Sequence, residues 1–194
     1  MIPEGPLLWY VNRSTGLVLL ALLTLTLLLG VLSTRGSAGG RLPRFVVQGL
    51  HRNIGLLSMV MLGLHIASAV LDEYVDIRWW QSFAPWHLRY EPLWLALGIV
   101  AFDLMLAVVL TSLLRERLPH RLWAGLHLGA YAAWVVSVAH GLGIGTDTGA
   151  GWARWFYVGS TVVVLATVAL RLAGGGRSGG SVPSALDGPV GVVR

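Results

Sequence analysis

The stretch Gly49–Val70, GLHRNIGLLSMVMLGLHIASAV, is long and apolar enough to lie in a bilayer, yet His51 and His65 interrupt it fourteen residues apart. Crossing a hydrocarbon layer of ~30 Å takes ~20 helical residues, so this segment reads as a membrane helix. An imidazole in hydrocarbon is costly unless something binds it, and ionisable groups at such depth mark functional sites. The two histidines are therefore satisfied packing residues, parts of a proton path, or ligands.

The surrounding chain supports a membrane setting. Of its 194 residues 55% are hydrophobic and only 12% charged, and its mean hydropathy is +0.70. Soluble domains are about one-quarter charged, so this composition belongs to an integral membrane protein. Four further apolar stretches are long enough to cross: Ser14–Thr34, Pro92–Leu114, Leu122 to about Ile144, and Trp155–Leu170. The helix around His51 begins after Pro43 and runs to Leu71. The expected fold is all-α, an integral membrane bundle of about five transmembrane helices, or six counting an interfacial helix in the 72–91 loop, where Trp79, Trp80 and Trp86 suit the headgroup region. The first segment is a poor signal peptide, being too long, without a basic start, and followed by Arg35, Arg41 and Arg44. Residues 1–172 make one membrane domain, and 173–194 a flexible Gly/Ser-rich cytoplasmic tail.

All fourteen basic side chains are arginine, and the formal charge is +5. They lie at segment ends and in loops, where they act as topology signals and headgroup contacts, so no nucleic-acid partner is expected. The 35–44 and 115–121 loops and the tail carry most of them, while the 72–91 loop has more acids than bases and 141–151 has one acid. The positive-inside rule then places the N-terminus outside and the C-terminus in the cytoplasm of a multi-pass cell-membrane protein. The absence of cysteine from this sequence excludes disulfides, iron–sulfur clusters and thiol catalysis within it. No glycine-rich phosphate loop follows a strand-like run, so no flavin or nicotinamide site is visible.

The fourth segment contains GLHLGAYAAWVVSVAHGLG (Gly125–Gly143), with His127 and His140 thirteen residues apart. The second and fourth segments cross in the same direction. His51 and His127 therefore fall at one depth, near the cytoplasm, and His65 and His140 at another, ~20 Å along the axis. Two imidazoles at one level suit a six-coordinate haem iron, whose porphyrin supplies four nitrogens, and suit zinc badly. A proton relay would need carboxylates or histidines at intermediate depth, and only Asp103 qualifies. At ~100° per residue, fourteen residues return to within about 40° of one face, whereas thirteen leave an offset of about 140°. Tilt, a π-bulge or unwinding near Gly141 is therefore expected in the fourth segment. Gly55, Gly63, Gly125 and Gly129 fit a porphyrin wedge or ordinary close packing of membrane helices. Asp103 is expected to make a structural hydrogen bond, and His87 and His120 to be interfacial.

With these residues set out, the sequence resembles the ferric-reductase-like transmembrane domain superfamily, which includes the membrane cores of NADPH oxidases and ferric reductases. The resemblance covers about residues 8–172 and rests on His51/His65 and His127/His140, with support from WYVNRSTGL, FVVQGLHRNIGLL and SVAHGLG. It is most similar to short actinobacterial-type members without a flavin domain. The resemblance implies two haem b groups, the inner held by His51 with His127 and the outer by His65 with His140. It implies a dihaem membrane cytochrome passing electrons across the bilayer, an oxidoreductase component with a separate redox partner such as a flavoprotein. Five crossings rather than six, and no flavin domain in this sequence, are its departures from the large members. Arg52 is a candidate for the inner propionates and Arg13 for the outer set, with Arg78 or Arg89 as further candidates. Membrane lipid is the other expected partner. The alternatives are a quinol-linked cytochrome b subunit and a haem-free membrane scaffold or transporter subunit.

Overall fold

A computed structural model describes residues 7–34, 43–72 and 77–175. Its elements are α1 (Leu7–Thr34), α2 (Arg44–Leu71), α3 (Pro92–Leu113), α4 (His120–His127), α5 (Gly129–Ile144) and α6 (Gly151–Gly175). Single 3-10 turns stand at Trp79–Ser82 and Arg115–Arg117. The described residues contain no strand.

Five spans are long and apolar enough to cross a membrane, with α4 and α5 together making the fourth, His120–Ile144. The chain is a multi-pass membrane protein. Two helices are longer than their apolar runs suggest. The first starts at Leu7 rather than Ser14, which puts Arg13 two turns inside α1. The last starts at Gly151 and takes in Arg154, whose long side chain can reach past a helix end. Among its described residues, the 72–91 loop holds one short 3-10 turn, Trp79–Ser82, where an interfacial helix was expected. Residues 176–194, most of the expected tail, lie outside the described residues.

Two helical hairpins dominate the packing: α1 lies against α2, and α3 lies against α5 and α4. Helix α1 also touches α5 and α6, so it joins the two hairpins at the centre. The core there comprises Leu19, Leu20, Leu23 and Leu27 of α1 with Leu62, Met105, Trp134, Tyr157 and Val164 from the other helices. Among apolar lipid tails, burial of apolar surface gives little drive for helix association, so close packing and interhelical hydrogen bonds matter more. One such bond is buried: Trp134 Nε1 donates to Thr24 Oγ1 at 2.9 Å, fastening α5 to α1. Thr24 Oγ1 in turn donates to Leu20 O at 2.8 Å, so both ends of the link are satisfied.

The fourth span is tightened immediately after His127. Leu128 stands between α4 and α5, and Tyr131 N donates to Leu128 O at 3.1 Å, an i→i+3 closure that tightens the turn. The thirteen-residue offset is thus relieved at Leu128 rather than near Gly141. His127 ends α4 and His140 lies in α5, so the tightened turn falls between the two rings and shifts their relative phase.

Asp103 faces outward from the middle of α3, and its side chain has no hydrogen-bond or ionic partner among the described residues. The expected structural hydrogen bond is not made among the described residues.

Candidate functional site: two facing histidine pairs

Both levels of histidine meet across the bundle. The His51 and His127 ring centroids are 6.0 Å apart with their planes at 66°. Those of His65 and His140 are 6.3 Å apart at 85°. A ring nitrogen lies ~1.1 Å from its centroid and a metal–imidazole bond is ~2.0–2.1 Å, so two imidazoles trans on one metal hold their centroids ~6.3 Å apart. Both pairs have that separation.

The remaining ring nitrogens are engaged. Nδ1 of His51 is 2.9 Å from Thr26 O, Nδ1 of His65 is 2.9 Å from Asn12 O, and Nδ1 of His140 is 2.7 Å from Trp94 O. A carbonyl can only accept, so in each of these three the proton sits on Nδ1 and the Nε2 lone pair is left for a ligand. His127 differs in using a side chain: its Nδ1 is 3.1 Å from Ser112 Oγ. Ser112 Oγ donates to Val108 O at 2.7 Å, which leaves its lone pairs to accept from His127. Orienting partners of this kind on the far nitrogen are typical of metal-binding histidines.

Local sequence makes these contacts possible. Each accepting carbonyl belongs to the residue four before a glycine: Asn12 before Gly16, Thr26 before Gly30, Trp94 before Gly98. A β-carbon at Gly16 would stand 3.1 Å from His65 Cε1, at Gly30 3.2 Å from His51 Cε1, and at Gly98 2.6 Å from His140 Cε1. Without that carbon the ring can lie on the helix surface and reach a lone pair of the backbone carbonyl. Asn12 adds a second hold at one level, its Nδ2 donating to His65 O at 2.8 Å.

The glycines expected to form a wedge behave differently. Gly63 and Gly125 face open space, and Gly55 and Gly129 have only ordinary contacts with Thr26 and Val108. The three glycines that touch histidines lie on α1 and α3. Their signal was present in the sequence, because the Gly16–Gly30 interval equals the His51–His65 interval.

A cleft at the His65/His140 level is lined by Trp9, Asn12, Arg13, Gly98, Phe102 and Tyr157 among others. Arg13 lies there, but its guanidinium already bonds Asp147 and Thr146, in the turn between α5 and α6, and sits 5.0 Å over the Trp9 ring. Arg52 is exposed beside His51 in sequence. At the other level Trp123 stacks on His127 with centroids 5.1 Å apart, and Arg115 lies 5.5 Å over the Trp123 ring. The Trp123 indole N–H is buried without a partner among the described residues.

No cluster of three or more His, Cys, Asp or Glu able to hold a metal occurs among the described residues. A metal at either pair would therefore draw two ligands from the protein and the rest from elsewhere. That donor set fits haem iron, whose porphyrin supplies four nitrogens.

An all-helical bundle with five spans long and apolar enough to cross a membrane defines a class, the multi-pass helical membrane proteins. Residues 15–138 match the family described as ferric reductase like transmembrane component, and the chain belongs to that family. The matched region covers His51, His65 and His127, and His140 lies just beyond it. Transmembrane domains of this family are generally haem-binding and usually work with a redox partner. No curated protein and no solved structure matches the chain.

Proposed function

We propose that the protein is a b-type dihaem cytochrome that passes electrons across the bilayer, with His51 and His127 serving a haem near the cytoplasm and His65 and His140 one near the outer face. The observation that carries this reading is the pair of centroid separations, 6.0 and 6.3 Å, with every Nδ1 already bonded. Haem b would supply one-electron iron chemistry, and His51, His127, His65 and His140 would hold it in a site of low dielectric.

Each residue then has a defined task. The four Nε2 atoms are left as neutral donors, held in that tautomer by Thr26, Asn12, Trp94 and Ser112. Haem propionates are anionic and need donors. Arg13 is the candidate at the His65/His140 level and Arg52 at the other, with the unpaired indole N–H of Trp123 as a further donor there. A separate redox protein as electron donor or acceptor accords with a family that usually works with a redox partner.

A quinol-linked cytochrome is the second reading. It draws support from an apolar recess between α2 and α3, lined by Gly63, Ala67, Val70, Trp79 and Phe83, beside the His65/His140 level.

The deciding experiment is expression with ample haem, purification in detergent, and measurement of haem per chain with a reduced-minus-oxidised spectrum. Two haems per chain with b-type bands are expected. A colourless protein, or one haem per chain, overturns the dihaem reading.

A further inference from the structure

Three of the four histidines lean on a bare helix carbonyl, and one does not. Gly98 and Ser112 are fourteen residues apart on α3, as Gly16 and Gly30 are on α1. At Gly16, Gly30 and Gly98 the histidine ring bonds the carbonyl four residues earlier. At Ser112 the corresponding carbonyl, Val108 O, is taken by the serine hydroxyl at 2.7 Å, and His127 bonds the hydroxyl oxygen instead at 3.1 Å. The serine has replaced a direct contact with a relay.

The replacement changes what the ligand feels. Amide resonance makes a carbonyl oxygen a stronger acceptor than an alcohol oxygen. A strong acceptor draws the Nδ1 proton away from the ring and makes Nε2 more basic, which favours the ferric state of bound iron. The hydroxyl does this more weakly. The lengths run the same way, from 2.7 Å at His140 to 3.1 Å at His127.

We propose that Ser112 is a positioning residue that fixes the His127 tautomer while raising the reduction potential of the iron held by His51 and His127 above the value a direct carbonyl contact would give. The inference rests on the dihaem reading. It makes the two sites electronically unequal through one side chain that acts by way of the His127 ring.

A graded series tests it. Ser112→Gly removes the relay and lets His127 reach Val108 O as the other three rings reach their carbonyls, so the potential falls. Ser112→Ala keeps a β-carbon but removes the acceptor, so the potential rises above wild type. Ser112→Thr keeps the hydroxyl and restores the wild-type value. Spectroscopic redox titration of each variant is run in full-length protein and repeated in a His65→Ala background, which isolates the His51/His127 couple. Each departure is expected to change the reduction equilibrium several-fold to about tenfold, tenfold being ~59 mV for one electron. The other couple stays within twofold.

A flat series in a protein that holds two haems overturns the role of Ser112 alone, as does equal movement of both couples. A wild-type protein without haem overturns the dihaem reading and this inference with it. If Ser112→Ala loses haem, the order of Ser112→Gly, Ser112→Thr and wild type still decides the outcome.

Discussion

Gly98 and His140 are in contact at the helix surface: a β-carbon on Gly98 would stand 2.6 Å from His140 Cε1 and 2.7 Å from its Nδ1. The ring is aligned there because its Nδ1 bonds Trp94 O, one turn earlier on the same helix. Hydrogen bond and missing side chain are two parts of one arrangement.

Gly98→Ala is therefore expected to displace His140 and empty one site, taking haem per chain from two to about one. Gly16→Ala and Gly30→Ala, where the clearance is 3.1 and 3.2 Å, need only small shifts and retain more haem. Haem-to-protein ratios of the three purified variants check the order. Equal retention in all three would show that these contacts do not position the rings.

His65→Ala removes one ring of the pair with His140 and leaves His51 and His127 untouched, ~20 Å away along α2. One haem per chain is expected to remain, with a single reduction step in place of two. Loss of both haems in a well-folded variant would count against pairing by depth.

Arg13 and Asp147 carry opposite charges beside the His65/His140 cleft. Adding an electron to iron is eased by a nearby cation and opposed by a nearby anion. Arg13→Gln should lower the potential of that couple and Asp147→Asn should raise it, with little effect on the other couple. Redox titration at low and high salt reads the signs, which should differ, and the shifts should shrink as salt screens the charges.

Trp134→Phe deletes the buried bond to Thr24 while keeping most of the ring volume. Interhelical hydrogen bonds in membrane bundles average ~0.6 kcal/mol and reach ~1.7, so a modest fall in the thermal midpoint in detergent is expected, with haem content unchanged. Trp134→Ala adds a cavity and should cost ~3–5 kcal/mol.

Asp103 points away from the bundle and makes no side-chain bond among the described residues. Asp103→Leu should leave haem content and both potentials unchanged, and the thermal midpoint equal or higher. A drop in haem content would give the carboxyl a role in the site.

Much of this was legible in the chain. The five spans follow from apolar length alone, since a bilayer accepts only segments that satisfy their own backbone. The depth matching of His51 with His127 and His65 with His140 follows from two helices running the same way at a fixed rise per residue. Less legible was the partner set of each ring. Asn12, Thr26 and Trp94 contribute backbone carbonyls, which no residue type announces. Gly55, Gly63, Gly125 and Gly129 share a membrane span with a histidine, whereas the glycines in contact with the rings face them from other helices. Arg13 appears in the sequence as a free cation and in the bundle as the partner of Asp147, 134 positions away.

The sequence by itself determined that this is a helical membrane protein with four imidazoles at two depths, because hydropathy and helical rise are local properties. It also exposed the difficulty that thirteen residues do not return to one face. Only the tertiary structure decided how that was resolved, by a tightened turn at Leu128 that shifts the phase between His127 and His140. It alone decided which nitrogen of each ring is engaged, because that depends on where a neighbouring helix places a carbonyl or a hydroxyl. Residues far apart in the chain meet only once the hairpins pack, and the difference between Ser112 and the three glycines becomes visible only there.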